Sequence, residues 1–174
     1  MRYEVRPAIL ADLPQVAALQ SHGFGNQPGG RTAALASELE SPDRWLWVTV
    51  GHADTADRAR VVAFARLRMV DIADGPPTGY YLAGLIVDPG HRGRGLGSEL
   101  IRARIDFGWS AGARALYYFA NARNTTSIDL HAKFGFREIR RPFQFPGVAF
   151  EGGIGVLFRL DDLRQAREAI TRAR

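Results

Sequence analysis

The sequence predicts an α/β fold built on one sheet of mixed strand direction, and three observations carry that prediction. Strand-like runs at 45–50, 60–71 and 78–87 follow one another across short polar or Pro/Gly connectors, the arrangement of antiparallel neighbours. From residue 95 onward helical and strand patterns alternate, as they do where helices cross a sheet. Between the two halves an apolar strand ends at Asp88-Pro89, and the chain passes three alternating glycines into a long amphipathic helix. At 174 residues the chain has material for one sizeable core, so 1–174 are expected to form a single domain with 161–174 as its C-terminal helix.

Residues 2–8 alternate, with Tyr3 and Val5 on one face, and read as the first strand. Asp12 ahead of Leu13-Pro14 signals a capped helix start leading into Val16, Ala17, Leu19 and Gln20. The glycine content of 21–30 predicts a loop, and a second helix is expected over 32–40. In the run 60–71, Val62, Phe64, Arg66, Arg68 and Val70 alternate with Val61, Ala63, Ala65, Leu67 and Met69, the second face being the more apolar. The helix at 95–111 presents a stripe of Leu96, Leu100, Ile101, Ile105 and Trp109. A buried strand at 113–120, a helix at 124–134 and a strand at 136–141 follow. An aromatic and glycine-rich connector then leads to the last strand, 154–160, and Asp161 starts the final helix.

Hydrophobic residues make up 46% and charged residues 24%, the balance of a soluble globular protein. No apolar run approaches the roughly 18 residues of a membrane span. The opening Met1-Arg2-Tyr3-Glu4-Val5-Arg6-Pro7 lacks the apolar stretch of a secretory signal. Zero cysteines exclude a disulfide framework, thiolate metal sites and a cysteine nucleophile, and a reducing cytoplasm is the expected location. The net charge of +5 comes from 23 basic and 18 acidic residues, all the basic ones but Lys133 being arginines spread along the chain. Without a basic arm or block, neither nucleic acid nor a membrane is expected as partner. The charge permits an anionic ligand but does not argue for one.

The segment from Leu85 to Ser98 is the most informative. Its glycines let backbone N–H groups approach a ligand, and the mouth of the following helix adds unpaired donors and a positive dipole end. Together they suit phosphate, with Arg92 and Arg94 adding charge. Ser98 stands where the dinucleotide fingerprint needs glycine, and the Gly-Lys-Ser/Thr of a Walker loop is absent. The alternatives are a phosphate cradle of another kind or a strand-helix turn that merely needs glycine.

Arg92-Gly93-Arg94-Gly95-Leu96-Gly97 resembles the Arg/Gln-x-x-Gly-x-Gly/Ala signature of the GNAT superfamily of acyl-CoA-dependent N-acetyltransferases. It follows Val87-Asp88-Pro89, as the signature follows such a strand end in that family. Downstream, Asn124, Ser127, Leu130 and Lys133-Phe134-Gly135-Phe136 resemble the family's second motif. The resemblance covers Tyr3 to about Leu160. It implies a mostly antiparallel sheet of six to seven strands, flanked by four to five helices. A V-shaped split is implied between the strand ending at Val87 and the strand at 113–120. It further implies acetyl-CoA (coenzyme A) as co-substrate. Backbone groups of Leu85, Ile86 and Val87 would pair with the pantetheine arm, and amides of Gly93, Arg94, Gly95, Leu96, Gly97 and Ser98 would hold the pyrophosphate. Arg92 would lie beside it, and Asn124 would open a helix next to the cofactor.

Acetyl transfer to an amine needs loss of a proton from nitrogen, support for an oxyanion, and a proton for the departing thiolate. The family's tyrosine position is occupied by His131, which shares a helix face with Asn124 and Ile128. It is expected to hydrogen-bond the cofactor sulfur as general acid, the alternative being a partly buried histidine without a catalytic part. Tyr81 and Phe119 stand where family members carry glutamate, so Tyr81 either lines the site or packs in the core. His22 is a candidate base, with relay through water as the default. The acceptor pocket is expected between 21–31 and 142–153, with Phe143, Phe145 and Phe150 as an aromatic wall. Glu151, Asp71 and Asp74 would either meet a cationic amine or remain simply solvated. The implied activity is direct transfer, in a ternary complex, to a primary amine: a small molecule, a peptide N-terminus or a lysine. Exposed sheet edges and family habit allow a homodimer. Two rivals stay open: a non-catalytic acyl-CoA-binding or regulatory module, and a nucleic-acid binder that uses the arginines.

Overall fold

The computed structural model describes residues 1–24, 31–52 and 59–172, the side chains of 22–24, 31 and 169–172 excepted. The elements are β1 (Arg2–Pro7), α1 (Leu13–Phe24), α2 (Arg31–Glu40), β2 (Arg44–His52), β3 (Arg60–Val70), β4 (Gly79–Val87), α3 (Leu96–Ser110), β5 (Leu116–Asn121), α4 (Thr125–Ala132), β6 (Arg137–Phe143), β7 (Gly155–Leu160) and α5 (Leu163–Arg172). The strands form one seven-stranded sheet in the order β1-β2-β3-β4-β5-β7-β6. β1–β2, β5–β7 and β6–β7 pair antiparallel, and β4–β5 pair parallel. The expected mixed, mostly antiparallel sheet with five helices is therefore what the described residues form. The parallel β4–β5 ladder consists of Tyr80–Leu116, Tyr81–Tyr117 and Leu82–Tyr118. Two compact units share the elements: Met1–Leu67 with Gly84–Ala103, and Arg68–Ala83 with Arg104–Arg174.

In the first unit, Leu13, Val16, Ala17 and Leu19 of α1 and Leu35 of α2 are buried with Leu46, Val48 and Val50 of β2 and Val61 and Phe64 of β3. Helical spacing in α1 and α2 and the alternation of Leu46, Val48 and Val50 put one apolar face of each of these elements into this core, whereas β3 is buried on both faces over Val61–Ala65. The start of α1 differs from the sequence expectation. Asp12 closes a single 3-10 turn, Leu10–Asp12, and its buried carboxylate bonds back to the Ile9 N–H at 2.9 Å and to Arg6 at 2.7 and 2.9 Å. At its other end α1 runs to Phe24, so 21–24 are helical where a loop was expected. The rest of that loop, 25–30, lies outside the described residues, as do the His22 side chain and the connector 53–58.

In the second unit, Leu116, Tyr117, Tyr118 and Ala120 of β5, Val156–Phe158 of β7, and Phe134 and Phe136 beside α4 are buried. The stripe expected on α3 breaks at its last turn. Trp109 is 43% exposed, and its ring takes the Arg167 guanidinium at 5.4 Å. The reason is Gly108, where an added Cβ would lie 2.7 Å from Leu116 Cδ2. The helix comes so close to β5 that any larger residue there would have to displace the Leu116 side chain, and the next residue is rotated outward. Ala113 N–H then closes the helix on the Gly108 carbonyl at 2.9 Å, with Gly112 at φ 73. This cap consumes the first residues of the expected strand, and β5 starts at Leu116.

Candidate cofactor and catalytic site

The turn after β4 is ordered by polar bonds at its base and left open at its crown. Asp88 accepts from the Gly90 N–H at 2.9 Å and from Arg60 at 3.0 Å, while its own N–H donates to the Val62 carbonyl at 2.8 Å. Pro89–His91 make one 3-10 turn, and His91 Nδ1 lies 3.0 Å from the Tyr3 hydroxyl. Arg92 folds back so that its Nε donates to the Val87 carbonyl at 3.2 Å. Gly93 and Gly95 then take φ of 72 and 78, conformations that side chains disfavour, and an added Cβ at either would meet nothing within 4 Å. Residues 92–95 are exposed. α3 begins at Leu96, the Gly95 carbonyl accepting from Glu99 N–H at 3.0 Å. Leu96, Gly97 and Ser98 thus carry the first N–H groups of the helix, which have no carbonyl one turn earlier inside it to bond. A cleft of about 330 Å³ beside this turn is lined by Gln15, Leu19, Arg60, Ile86, Val87 and Arg92 among others. Leu85, Ile86 and Val87 are half-buried, between buried Leu82 and the exposed turn.

Sequence reasoning missed one feature of this strand. Gly84, inside β4, sits at φ 53, the left-handed conformation found at glycine bulges. An added Cβ there would lie 3.0 Å from Arg66 Nη1. Arg66 is itself held by Glu38 at 2.8 Å and Gln20 at 3.1 Å. A lone glycine in an otherwise apolar strand was the available signal.

The second motif is built differently. Asn124 caps α4, its Oδ1 accepting from the Ser127 N–H at 3.2 Å, so what it can offer a ligand is its Nδ2 amide. His131 is 2% exposed. Its ring stacks on Tyr118 at 3.8 Å between centroids and meets Phe136 edge-on at 5.6 Å. Nδ1 lies 2.8 Å from the Ser127 carbonyl and donates to it, and Nε2 finds no partner among the described residues. Burial, and then the charge of buried Arg104, push His131 down to about 3 against the opposing Ser127 bond. At neutral pH it is an uncharged imidazole whose one proton is committed to a carbonyl. Tyr118 donates to Ser127 Oγ at 3.0 Å, and burial lifts its phenol to about 12.

Tyr81 is fully buried and donates to the Pro77 carbonyl at 2.7 Å. It stacks on Tyr117 at 5.0 Å and meets Phe145 at 5.5 Å, and burial raises its phenol well above the usual range. The connector phenylalanines join the same cluster: Phe145 stacks on Phe119 at 4.5 Å, and Phe150 meets Phe119 edge-on at 6.0 Å. Phe143 and Phe145 are core residues more than an open wall. Among the described residues no group of three or more His, Cys, Asp or Glu side chains is placed to hold a metal ion. Nor is any helix long and apolar enough to cross a membrane.

A mixed seven-stranded sheet, with a glycine turn opening a helix after its fourth strand, is the architecture that the resemblance to the acyl-CoA acetyltransferases implied. The profile of the acetyltransferase (GNAT) family matches residues 18–136, and the chain belongs to that family. Over 137 residues it is 32% identical to an uncharacterised protein of Mycobacterium leprae, a match covering 78% of this chain. The match spans about a third of that relative, 35% of its length. Among solved structures, Arabidopsis thaliana NAA60 in complex with acetyl-CoA matches with a TM-score of 0.73 and 19% identity, covering 91% of this chain and 98% of that one. The ribosomal-protein-S18-alanine N-acetyltransferase of Escherichia coli matches with a TM-score of 0.67 and 21% identity, covering 91% and 93%.

Proposed function

We propose that the protein is an acetyl-CoA-dependent N-acetyltransferase that moves an acetyl group directly to an amine in a ternary complex. Family membership supplies the acyltransferase class and acetyl-CoA as co-substrate. The observation that carries the proposal is the turn: two left-handed glycines with open space above them, exposed Arg92 and Arg94, and the free start of α3. These residues fit a diphosphate, because main-chain N–H groups and a helix N-terminus bind anions and nothing among the described residues fills the space.

When bound, acetyl-CoA supplies the activated acyl group. Gly93, Arg94, Gly95, Leu96, Gly97 and Ser98 hold the diphosphate through their amides, with Arg92 beside it. Main-chain groups of Leu85, Ile86 and Val87 bind the pantetheine arm and support the oxyanion. Gly84, immediately before them, takes a left-handed φ of 53 that departs from regular strand geometry. The acceptor ammonium loses its proton through water, and water returns one to the departing thiolate, since alkyl amines have pKa near 10 and no carboxylate occupies the Tyr81 and Phe119 positions. His131 and Tyr81 act here as positioning groups. The imidazole carries no proton at Nε2 to give, and it fixes Tyr118 and α4. Acceptors of the small-amine and peptide N-terminal kinds both suit this chemistry, and a cytoplasmic location is proposed with it.

Release of free thiol from acetyl-CoA with a panel of amines tests the proposal. Amine-dependent turnover supports it. Tight coenzyme binding without turnover on any amine would turn the assignment to a non-catalytic acyl-CoA-binding module.

A further inference from the structure

One charged cluster outside the glycine turn lies wholly within the first unit and meets β4 at the residue before Leu85. Arg66 stands in β3 between Ala65 and Leu67, both fully buried, and is itself half-buried. Its Nε donates to Glu38 Oε2 of α2 at 2.8 Å, and its Nη2 donates to Gln20 Oε1 of α1 at 3.1 Å. Its Cζ lies 5.1 Å from the centroid of Phe64, two residues earlier on the same strand face. The ion pair is largely shielded, with side-chain exposures of 17% and 23%. Acceptors on two of its nitrogens fix the plane of the guanidinium, which a lysine ammonium would not reproduce. The other terminal nitrogen, Nη1, is turned towards β4. A Cβ built on Gly84 would meet Arg66 Nη1 at 3.0 Å and Arg66 Cδ at 3.8 Å, and no other atom of the described residues within 4 Å.

Gly84 has φ 53, yet glycine populates φ of either sign about as readily, so its own preference does not select the left-handed state. The atoms facing its empty side-chain position belong to Arg66. We infer that Arg66 is a positioning residue of the coenzyme site: held by Glu38 and Gln20, its guanidinium keeps Gly84 left-handed and so sets the direction of the main-chain groups of Leu85, Ile86 and Val87. The inference rests on the acetyl-transfer reading and names a side chain that serves it without touching the reactants. A left-handed residue turns the next peptide planes away from regular strand geometry, so whatever fixes its φ also aims the N–H and C=O groups that follow. A pair that only tied two helices to the sheet would gain little over apolar residues of the same volume. What sets this pair apart is the place of its guanidinium, in the space that a side chain at 84 would take.

A double-mutant cycle on the full chain tests this, read by coenzyme A calorimetry and by melting curves. Arg66→Met keeps the bulk of the side chain and removes its fork, and it is expected to raise the coenzyme A dissociation constant about tenfold. Gly84→Ala is expected to do the same. The two together should again cost about tenfold in place of about a hundredfold, because both break one contact. Glu38→Gln keeps an acceptor for Nε and should stay within about twofold of wild type, whereas Glu38→Leu should follow Arg66→Met. The coenzyme-free chain gives a second readout: the amide resonances of Leu85, Ile86 and Val87 should move in Arg66→Met, with those of Gly93 to Ser98 unmoved. Wild-type affinity in Arg66→Met, a loss of about a hundredfold in the double variant, or unmoved resonances at 85–87 would overturn the inference and leave acetyl transfer standing. If the wild type binds no coenzyme A and the resonances still move, the Arg66–Gly84 contact stands and the acetyl-transfer reading falls.

Discussion

The glycine turn at 93–98 and the helix that carries His131 meet solvent in opposite ways. The turn is exposed, its backbone is locked by Asp88 and Arg92 below it, and the space above its glycines is open. His131 is sealed against Tyr118 and Phe136 with its proton spent on the Ser127 carbonyl. The first region is organised to meet a ligand through main chain. The second is organised to be rigid through aromatic stacking. The proposed binding role therefore rests on the turn, and a side chain with catalytic credentials by position alone reads as structural when its surroundings leave it neutral and covered.

The largest expected effect falls on the turn. Gly95→Val places a β-branched side chain at φ 78 in the space assigned to the diphosphate, and coenzyme affinity should fall about 100-fold or more. Gly112→Val is its control. That residue has φ 73 and equally open surroundings but lies outside the site, so it should cost about 1–2 kcal/mol of stability and leave coenzyme affinity unchanged. Equal affinity losses in both variants would reduce the turn to a folding element.

Next in size is Gly84. Gly84→Ala meets both a left-handed φ and Arg66 Nη1 at 3.0 Å, and the backbone shift it forces next to Leu85–Val87 should weaken coenzyme binding about tenfold. Calorimetry on that variant, paired with a melting curve, separates lost binding from lost fold.

His131 sharpens the comparison from the other side. An imidazole held neutral to about 3 in the fold, against 6.5 when unfolded, contributes stability that is full above about pH 6.5 and declines as the pH falls towards 3. The wild type should therefore lose about 2 kcal/mol relative to His131→Phe between pH 7 and pH 5, read from denaturant curves. The kcat of that variant should stay within about threefold of wild type. A hundredfold fall in kcat with unchanged stability would make His131 the general acid after all. The smallest effect is Arg92→Gln, expected to raise the coenzyme dissociation constant several-fold, about three to ten times, and to flatten its salt dependence.

Much of the fold was legible because it follows from periodicity. The apolar run of β3 and the α3 residues Leu96, Leu100, Ile101 and Ile105 lie in the core as read, although β3 is buried on both faces over Val61–Ala65 and Trp109 is not in the stripe. What escaped was set by close approach between segments distant in sequence. Gly108 against Leu116 turned Trp109 outward, and the helix cap at Gly112–Ala113 delayed β5. Arg66 against Gly84 belongs to the same kind. At the site, the glycine turn was readable because glycines and a helix start impose a backbone conformation by themselves. His131 was not, because i, i+4, i+7 spacing assigns a helix face but not what packs against it: Asn124 is exposed, Ile128 half-buried and His131 covered on that one face. The Phe143 and Phe145 side chains, expected as an acceptor wall, went into the Tyr81 cluster for the same reason.

One titration probes the central claim most directly: calorimetry of the wild-type chain with coenzyme A and, separately, with pantetheine, which lacks the nucleotide and its diphosphate. Saturable binding of coenzyme A, with pantetheine weaker by about 100-fold or more, is the predicted result. Equal affinity for the two, or no heat with coenzyme A, would contradict it.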